Sequence, residues 1–256
     1  MITPTAAIRS VVERNLVFYR HRKFMFAAGF FEPMIWLFGI GIGVGELVGG
    51  VDVNGETVEY GMFVAPGLIA VSAMNGAAFE STYNFYYKLR YSKLFDSMVV
   101  TPLRLREIVI GELSFAVLRS SAYATGFLVL AAALGFIESW WGLFIIPTTL
   151  LIGTSVAALG VWSTTFMRNW HDFDYLGLML QFLFMCSATF FPIDVFPGWA
   201  QAIVRATPLY HGVAVCRELA LGSISTSTVA HIGYMIGITM VFGWLANRRL
   251  DKWLLS

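Results

Sequence analysis

Four charged side chains, Glu32, Glu80, Glu112 and Arg119, interrupt long apolar stretches of this sequence. An ionised group near the centre of a hydrocarbon layer costs about 2.5–3.5 kcal/mol on insertion scales, so each is expected to face protein or water instead of lipid. Glu112 and Arg119 stand seven residues apart, two turns along one helical face, where they can share partners. Two kinds of chemistry suit such groups. They pair and hold helices together, or they line a cavity and couple the motion of the helices that carry them. Little points to catalysis. His21, His171, His211 and His231 are scattered, and neither HExxH nor GxSxG occurs. Cys186 and Cys216 form no CxxC or metal-ligand spacing and read as packing residues. None of the four lysines, Lys23, Lys88, Lys93 and Lys252, is followed by Ser or Thr, so no phosphate-cradling GxxxxGK[ST] loop is present. The chain is expected to carry no catalytic residue, cofactor or metal ion of its own.

The elements that position these charges follow from composition. With 57% hydrophobic and 13% charged residues, the chain is far more apolar than a soluble domain, in which charged residues make up about 25%. Six apolar runs are long enough to cross about 30 Å of hydrocarbon: 24–48, 61–83, 108–136, 142–167, 175–191 and 227–246. The net charge of +1 conceals segregation, because fourteen of the seventeen Lys and Arg residues lie at the two ends and in alternate connections. Arg9, Arg14, Arg20, Arg22 and Lys23 precede the first run; Lys88, Arg90, Lys93, Arg104 and Arg106 follow the second; Arg168 follows the fourth; Arg248, Arg249 and Lys252 end the chain. The intervening loops at 49–60 and 137–141 carry Asp52, Glu56, Glu59 and Glu138 and no base. Basic residues are retained on the cytoplasmic face, so this alternation predicts a multi-pass all-α membrane protein of six spans with both termini inside. No cleavable leader, internal repeat or soluble domain is evident, and nothing suggests nucleic acid as a partner.

Three connecting segments carry further structure. Residues 1–23 place Ile8, Val11, Val12, Leu16 and Tyr19 at helical spacing, with Arg9, Glu13, Arg14 and Arg20 elsewhere on the wheel, as in a helix lying in the inner interface among lipid head groups. The connection KLRYSKLFDSMVVTPLRLRE is longer than a helical hairpin needs. Within it Tyr91, Leu94, Phe95 and Met98 share one face of a short helix, while Thr101 before Pro102 predicts a cap and first-turn proline that restart the next span. Between the last two runs, Pro192, Pro197 and Pro208 break the chain into two short helices near 199–205 and 210–220, a hairpin dipping into the outer leaflet. Broken backbone at that depth must be surrounded by protein or line a water-filled cavity.

The segments FFPIDVFPGWAQAIVRATPLYHGVAVCRELALG and KLFDSMVVTPLRLREIVIGEL give the chain its resemblance to the membrane subunit of type-2 ABC exporters, most closely the nodulation-type lipo-oligosaccharide and daunorubicin-resistance permeases. The resemblance covers essentially the whole chain. It implies that residues 1–23, with Arg9, Glu13, Arg14 and Arg20, form a connecting helix. It implies that Arg90, Tyr91, Lys93, Leu94, Phe95, Asp96 and Met98, within 88–101, form a coupling helix seated in an ATPase subunit. The hairpin at 191–222 becomes a re-entrant outer gate built on Phe191, Pro192, Pro197, Trp199, Pro208, Tyr210 and Arg217. The partners so implied are two cytoplasmic ATPase subunits that bind ATP and Mg, a second permease copy or a paralogue, and the lipids of a bacterial cytoplasmic membrane. The cargo would be amphipathic: lipid, glycolipid, polysaccharide or hydrophobic drug.

Two other classes stay open. A membrane-embedded enzyme acting on a lipid-linked substrate would work without ATP, and a secondary transporter would draw on an ion gradient through Glu80, Glu112 and Arg119. In the first span Gly39, Gly41, Gly43 and Gly45 give overlapping GxxxG spacings, expected to meet another span of the same chain in preference to a second copy. Phe79, Tyr83, Phe85, Tyr86, Phe182 and Phe184 read either as packing residues or as the coat of a lipid-like route.

Overall fold

Backbone N–H and C=O groups inside a hydrocarbon layer must bond to one another, and a helix achieves this within one segment. The apolar runs accordingly fold as long helices in the computed structural model, which describes residues 3–21, 31–53 and 56–254. Arg22, Lys23 and the first part of the 24–48 run lie outside the described residues, as do the side chain of Lys252 and the last two residues. The elements are α1 (Pro4–Arg20), α2 (Phe31–Val48), a hairpin of β1 (Gly50–Val53) and β2 (Glu56–Glu59), α3 (Tyr60–Tyr91), α4 (Leu94–Val99) and α5 (Leu105–Ala133). There follow α6 (Trp140–Thr164), α7 (Asp172–Met185), α8 (Gly198–Arg205), α9 (Pro208–Leu221) and α10 (Thr226–Leu254).

Five of the described helices, α2, α3, α5, α6 and α10, are long and apolar enough to cross a membrane. The most deeply buried is α3, with 83% of its apolar window inside the protein and α5, α6 and α9 packed around it. Small residues permit that density. A Cβ added at Gly76 of α3 would meet the Ser120 Cα of α5 at 2.9 Å, so the two backbones nearly touch. Ser120 Oγ also donates to the Ala73 carbonyl at 2.7 Å, a polar link between the same helices.

Several expectations need correction. The run at 175–191 is not one long helix: α7 stops after 14 residues, about 21 Å at 1.5 Å per residue, short of the hydrocarbon thickness. Its continuation, Ser187, Ala188, Thr189 and Phe190, is a buried turn in which Ala188 has φ 56°, a conformation no α-helix contains. The stretch at 49–60 is not a plain loop but an antiparallel hairpin pairing Gly50 with Glu59 and Val51 with Val58. The alternation in VDVNGETVE around an Asn-Gly pair is a hairpin signal that the emphasis on charge passed over.

Residues 90–98 do not form one helix either. Ser92 Oγ donates to the Lys88 carbonyl at 3.1 Å, competing with the helical ladder, and Lys93 takes a left-handed conformation (φ 47°) before α4 begins at Leu94. The next helix restarts at Leu105, not Pro102. Arg104 N–H donates to the Glu107 carboxylate at 2.8 Å, which satisfies a free amide at the helix start, while Thr101 Oγ1 instead closes the preceding turn on the Met98 carbonyl at 2.6 Å. The glycine stripe of α2 meets another described span only at its end: a Cβ at Gly39 would have nothing within 4 Å and those at Gly41 and Gly43 would meet only their own helix, whereas one at Gly45 would lie 3.6 Å from the Tyr60 side chain of α3.

Candidate functional site

The face α1 turns inward is Ala7, Val11, Asn15 and Tyr19, a strict four-residue repeat that includes one amide and one phenol. It is rotated from the expected apolar face. Leu16, Val17 and Phe18 point outward and stay half exposed. Close docking on α5 explains the rotation, since a Cβ at Gly111 would lie 2.6 Å from Val11 Cβ and 3.2 Å from the Ile8 carbonyl. Gly111→Val is therefore expected to push α1 off α5 and to raise amide hydrogen exchange in α1 by about tenfold or more, while exchange in α10 stays unchanged.

Docking α1 there brings its polar residues onto the charges of α3 and α5. Arg14 pairs with Glu112, and Asn15 Nδ2 donates to the same carboxylate at 3.1 Å. Lys88 Nζ, two turns beyond Glu80 on α3, donates to Glu112 at 2.6 Å, to Glu80 at 2.9 Å and to the Asn15 side-chain oxygen at 3.1 Å. Arg119 pairs with Glu80. Tyr19 Oη donates to Glu80 at 2.9 Å and receives Arg119 Nη1 at 2.7 Å and Asn84 Nδ2 at 3.0 Å. Burial, and then the neighbouring Glu80 carboxylate, push the Tyr19 phenol up, so it remains a neutral donor. Arg119 Nε also donates to Tyr123 Oη at 3.0 Å.

Three helices are thus joined by one network in which Arg14, Lys88 and Arg119 face Glu80 and Glu112. Wide i→i+5 turns at Glu80–Asn84 and Tyr87–Tyr91 re-aim this part of α3, and such turns are frequent where a helix carries function. Beside the network opens a cavity of about 650 Å³, bounded by Arg14, Asn15, Tyr19, Asn84 and Lys88 on one side and by Phe79, Tyr83, Tyr87 and Trp170 on the other.

The same end of the bundle presents α4. Phe95 is buried edge-on against Phe85, ring centroids 5.2 Å apart, among Leu89, Ile108, Val161, Ala246 and Leu250. Leu94 and Met98 are half-buried, and Arg14 Nη1 reaches Met98 Sδ at 3.0 Å, so α4 also touches the network. Arg90, Tyr91, Lys93, Asp96, Val99 and Val100 are exposed. Nearby, Asp172 accepts the Arg168 and Asn169 amides at 2.7 and 3.1 Å, and these bonds hold its carboxyl below the usual carboxylate range.

At the opposite end, Arg217 of α9 reaches the buried turn after α7. Its guanidinium donates to the carbonyls of Phe63, Ala188 and Thr189 at 3.1, 3.0 and 3.3 Å and stacks 3.7 Å from the Phe63 ring centre. These bonds, with Tyr60 Oη to the Phe190 carbonyl at 3.1 Å, satisfy backbone groups that the broken helix leaves open. Arg217→Leu strips donors from three buried or half-buried carbonyls and is expected to destabilise the fold by about 2–4 kcal/mol in a thermal unfolding assay. The hairpin is tied to α10 as well. His211 Nε2 lies 2.8 Å from the Arg205 carbonyl, which only accepts, so that nitrogen carries its proton and Nδ1 accepts from His231 Nδ1 at 2.6 Å. Tyr234 Oη donates to the Ala206 carbonyl at 2.6 Å.

Of the sequence-selected charges, Glu80, Glu112 and Arg119 are buried and connected. They are not arranged as expected, because Glu112 bonds to α1 and α3 while Arg119 bonds across to Glu80. Glu32 is not a buried charge: it is exposed and accepts Asn75 Nδ2 at 3.3 Å. On α1, Arg14 enters the network, whereas Arg9 and Glu13 pair on the exposed surface at 2.7 Å and Arg20 is exposed. Around the hairpin, Phe191 and Trp199 are exposed, Tyr210 is half-buried, Pro197 precedes α8 and Pro208 opens α9. Pro192 precedes a single tight turn at Ile193–Val195. The residues missed were Asn15, Tyr19, Asn84 and Lys88. Their signal was spacing, since Glu80, Asn84 and Lys88 form an i, i+4, i+8 row and Asn15 and Tyr19 an i, i+4 pair.

Residues 6–221 match the model of a family described as ABC-2 type transporter. The chain is 32% identical over 222 residues to Nodulation protein J of Rhizobium meliloti (strain 1021), covering 86% of this chain and 83% of that protein. It is 33% identical over 226 residues to Nodulation protein J of Rhizobium leguminosarum bv. viciae, covering 86% of each. A more distant relative, 21% identical over 203 residues and covering 77% of each chain, is the inner membrane transport permease YadH of Escherichia coli (strain K12).

Proposed function

The chain belongs to the ABC-2 type transporter family, and from that membership we propose that it is the membrane-spanning subunit of an ATP-driven exporter moving an amphipathic cargo out of the cytoplasm or inner leaflet. The observation that carries the reading is α4. It is a short helix held by one buried aromatic, Phe95, with Lys93, Asp96 and Val100 exposed on and beside it. The partner is a cytoplasmic ATPase present in two copies, which holds ATP and Mg; this chain binds neither. A second permease copy or a paralogue completes the two-fold pathway. A relative named an inner membrane transport permease supports a place in the bacterial inner membrane, with the α1 and α4 end and both termini facing the cytoplasm. In that topology α7 and the buried turn that Arg217 holds together make the fifth of six crossings, and α8 with α9 is the re-entrant outer gate.

The mechanism is mechanical. ATP binds the closed ATPase pair more tightly than the open one, and only that difference can drive a conformational change. Closure pushes α4; because Arg14, Glu80, Lys88, Glu112 and Arg119 tie α1, α3 and α5 together, the push is delivered to three helices as one body. The gate yields where α9 is held to α10 by His211, His231 and Tyr234. An ion-driven alternative would need Glu80 or Glu112 free to exchange protons or sodium with both sides, yet each carboxylate already accepts from two cations. The test is co-purification of the full chain with a co-expressed candidate ABC ATPase subunit, then transport by the pair reconstituted in vesicles. Transport that ceases when ATP is withdrawn supports the reading; transport that continues on an ion gradient alone, or activity of the isolated chain on a lipid-linked substrate, overturns it.

A further inference from the structure

Two spans that both pack on α6 leave a furrow between them. With α6 as its floor, the space between α5 and α10 forms two connected chambers of about 340 and 550 Å³ that share Ile110, Leu113, Ala158 and Gly243. Small residues make the room: Ala157 and Ala158 lie on the floor, and a Cβ at Gly243 would meet nothing within 4 Å. Along α5 the furrow runs from Arg106 to Leu118, about 18 Å at 1.5 Å per residue, close to the roughly 15 Å of hydrocarbon in one leaflet. Its chemistry changes over that length. Arg106 and Asn247, both exposed, line one end, with Arg104, Arg248 and Arg249 exposed on the adjoining turns. By sequence, Arg104, Arg106, Arg248, Arg249 and Lys252 here outnumber Glu107 and Asp251. Glu107 is buried and accepts the Arg104 amide at 2.8 Å. Toward the other end the furrow turns apolar, because its hydroxyls bond within their own helices: Ser114 to the Ile110 carbonyl at 2.7 Å, Thr154 to Leu150 at 2.6 Å and Thr239 to Met235 at 2.8 Å. An occupant there needs to supply only methylene groups.

A basic mouth leading into an apolar slot one leaflet deep fits an acidic head joined to an acyl chain, and basic pockets between spans on the cytoplasmic side favour such heads. We infer that this furrow is a site for one anionic phospholipid of the inner leaflet, its phosphate against Arg106 and Asn247 and one acyl chain between α5 and α10. The lipid is a bound component and not cargo. It ties α10, of whose apolar window only 11% is inside the protein, to α5. The inference takes its leaflet from the proposed orientation and nothing else from the exporter reading.

The test titrates the full chain, delipidated in detergent, with dioleoyl phosphatidylglycerol or dioleoyl phosphatidylcholine, which share their tails and differ in head charge, and counts bound lipids by native mass spectrometry. The first phosphatidylglycerol is expected to bind about tenfold more tightly than the first phosphatidylcholine. Arg106→Gln should weaken phosphatidylglycerol about fivefold, the share of one surface cation, and leave phosphatidylcholine within about twofold. Gly243→Leu, which grows into open space in the slot, should weaken both lipids by about tenfold. Gly233→Leu, equally open on α10 but outside the furrow, should weaken neither. Equal first binding of the two lipids overturns the acidic head. A Gly243→Leu chain that binds as tightly as the unaltered one overturns the furrow, and so does a dimer that this substitution splits, since a second copy is then the occupant. The same preparation is assayed for association with the co-expressed ATPase: a chain that associates without distinguishing the lipids refutes the lipid site alone, and one that binds lipid as expected without associating refutes the exporter reading alone.

Discussion

Glu80→Gln is expected to destabilise the protein by about 3–5 kcal/mol, read as a lowered thermal unfolding midpoint in detergent or nanodiscs. Glu80 is 2% exposed and accepts from Tyr19, Asn84, Lys88 and Arg119. A glutamine keeps the shape but replaces one acceptor oxygen with two N–H donors, aimed into a site already full of donors. Arg119, 7% exposed, then has no carboxylate partner among the described residues, and the local excess of positive charge doubles. Because the loss comes largely from the stranded cation, Glu80→Gln combined with Arg119→Met should recover more than half of it, a coupling that independent sites would not show. A single-variant loss below about 0.5 kcal/mol, or strict additivity in the double variant, would mean that the pair is solvated and that the network does not bind α1, α3 and α5 into one body.

That network marks how far the sequence was legible. Composition and charge alternation identified the membrane class and five runs that fold as membrane-length helices, because burial in lipid leaves the backbone few choices. Glu80, Glu112 and Arg119 stood out for the same reason: charge in an apolar run is costly enough to need explaining. What spacing could not supply was the identity of the neighbour. Periodicity places Glu112 and Arg119 on one face of α5, but whether they meet each other or two different helices depends on where α1 docks. That depends on a glycine at position 111 against Val11, a contact between residues a hundred positions apart. Asn15 and Tyr19 were passed over for a related reason. On the wheel they belong to an interfacial helix, and only the docking of its Ala7, Val11, Asn15 and Tyr19 face makes them internal. The short α7 was hidden because a buried turn and a buried helix can be equally apolar. Hydropathy reported the burial of Ser187, Ala188, Thr189 and Phe190 but not the left-handed residue at Ala188, nor the Arg217 side chain that answers its carbonyl from 29 positions away.

The second large effect separates how α4 is held from what it touches. Phe95→Ala removes a ring that is 1% exposed and packed on Phe85, and large-to-small changes of this kind cost about 3–5 kcal/mol. Because α4 is only six residues long and Phe95 is its one fully buried side chain, that cost should fall on the helix itself and free α4 while leaving the α3 to α6 core intact. In vesicles carrying the permease with its ATPase, the expected signature is uncoupling: ATP turnover within about twofold of normal and cargo transport reduced at least tenfold, since the push no longer reaches α3 and α5. Asp96→Lys should do the reverse. Asp96 is exposed, so thermal stability is expected to change by less than about 0.5 kcal/mol. Reversing a charge at the proposed contact should instead weaken association with the ATPase by about tenfold or more, most clearly at low salt, where surface charges are least screened. Normal association and transport in Asp96→Lys would move the contact off α4, and transport that survives Phe95→Ala would show that force enters the membrane helices elsewhere.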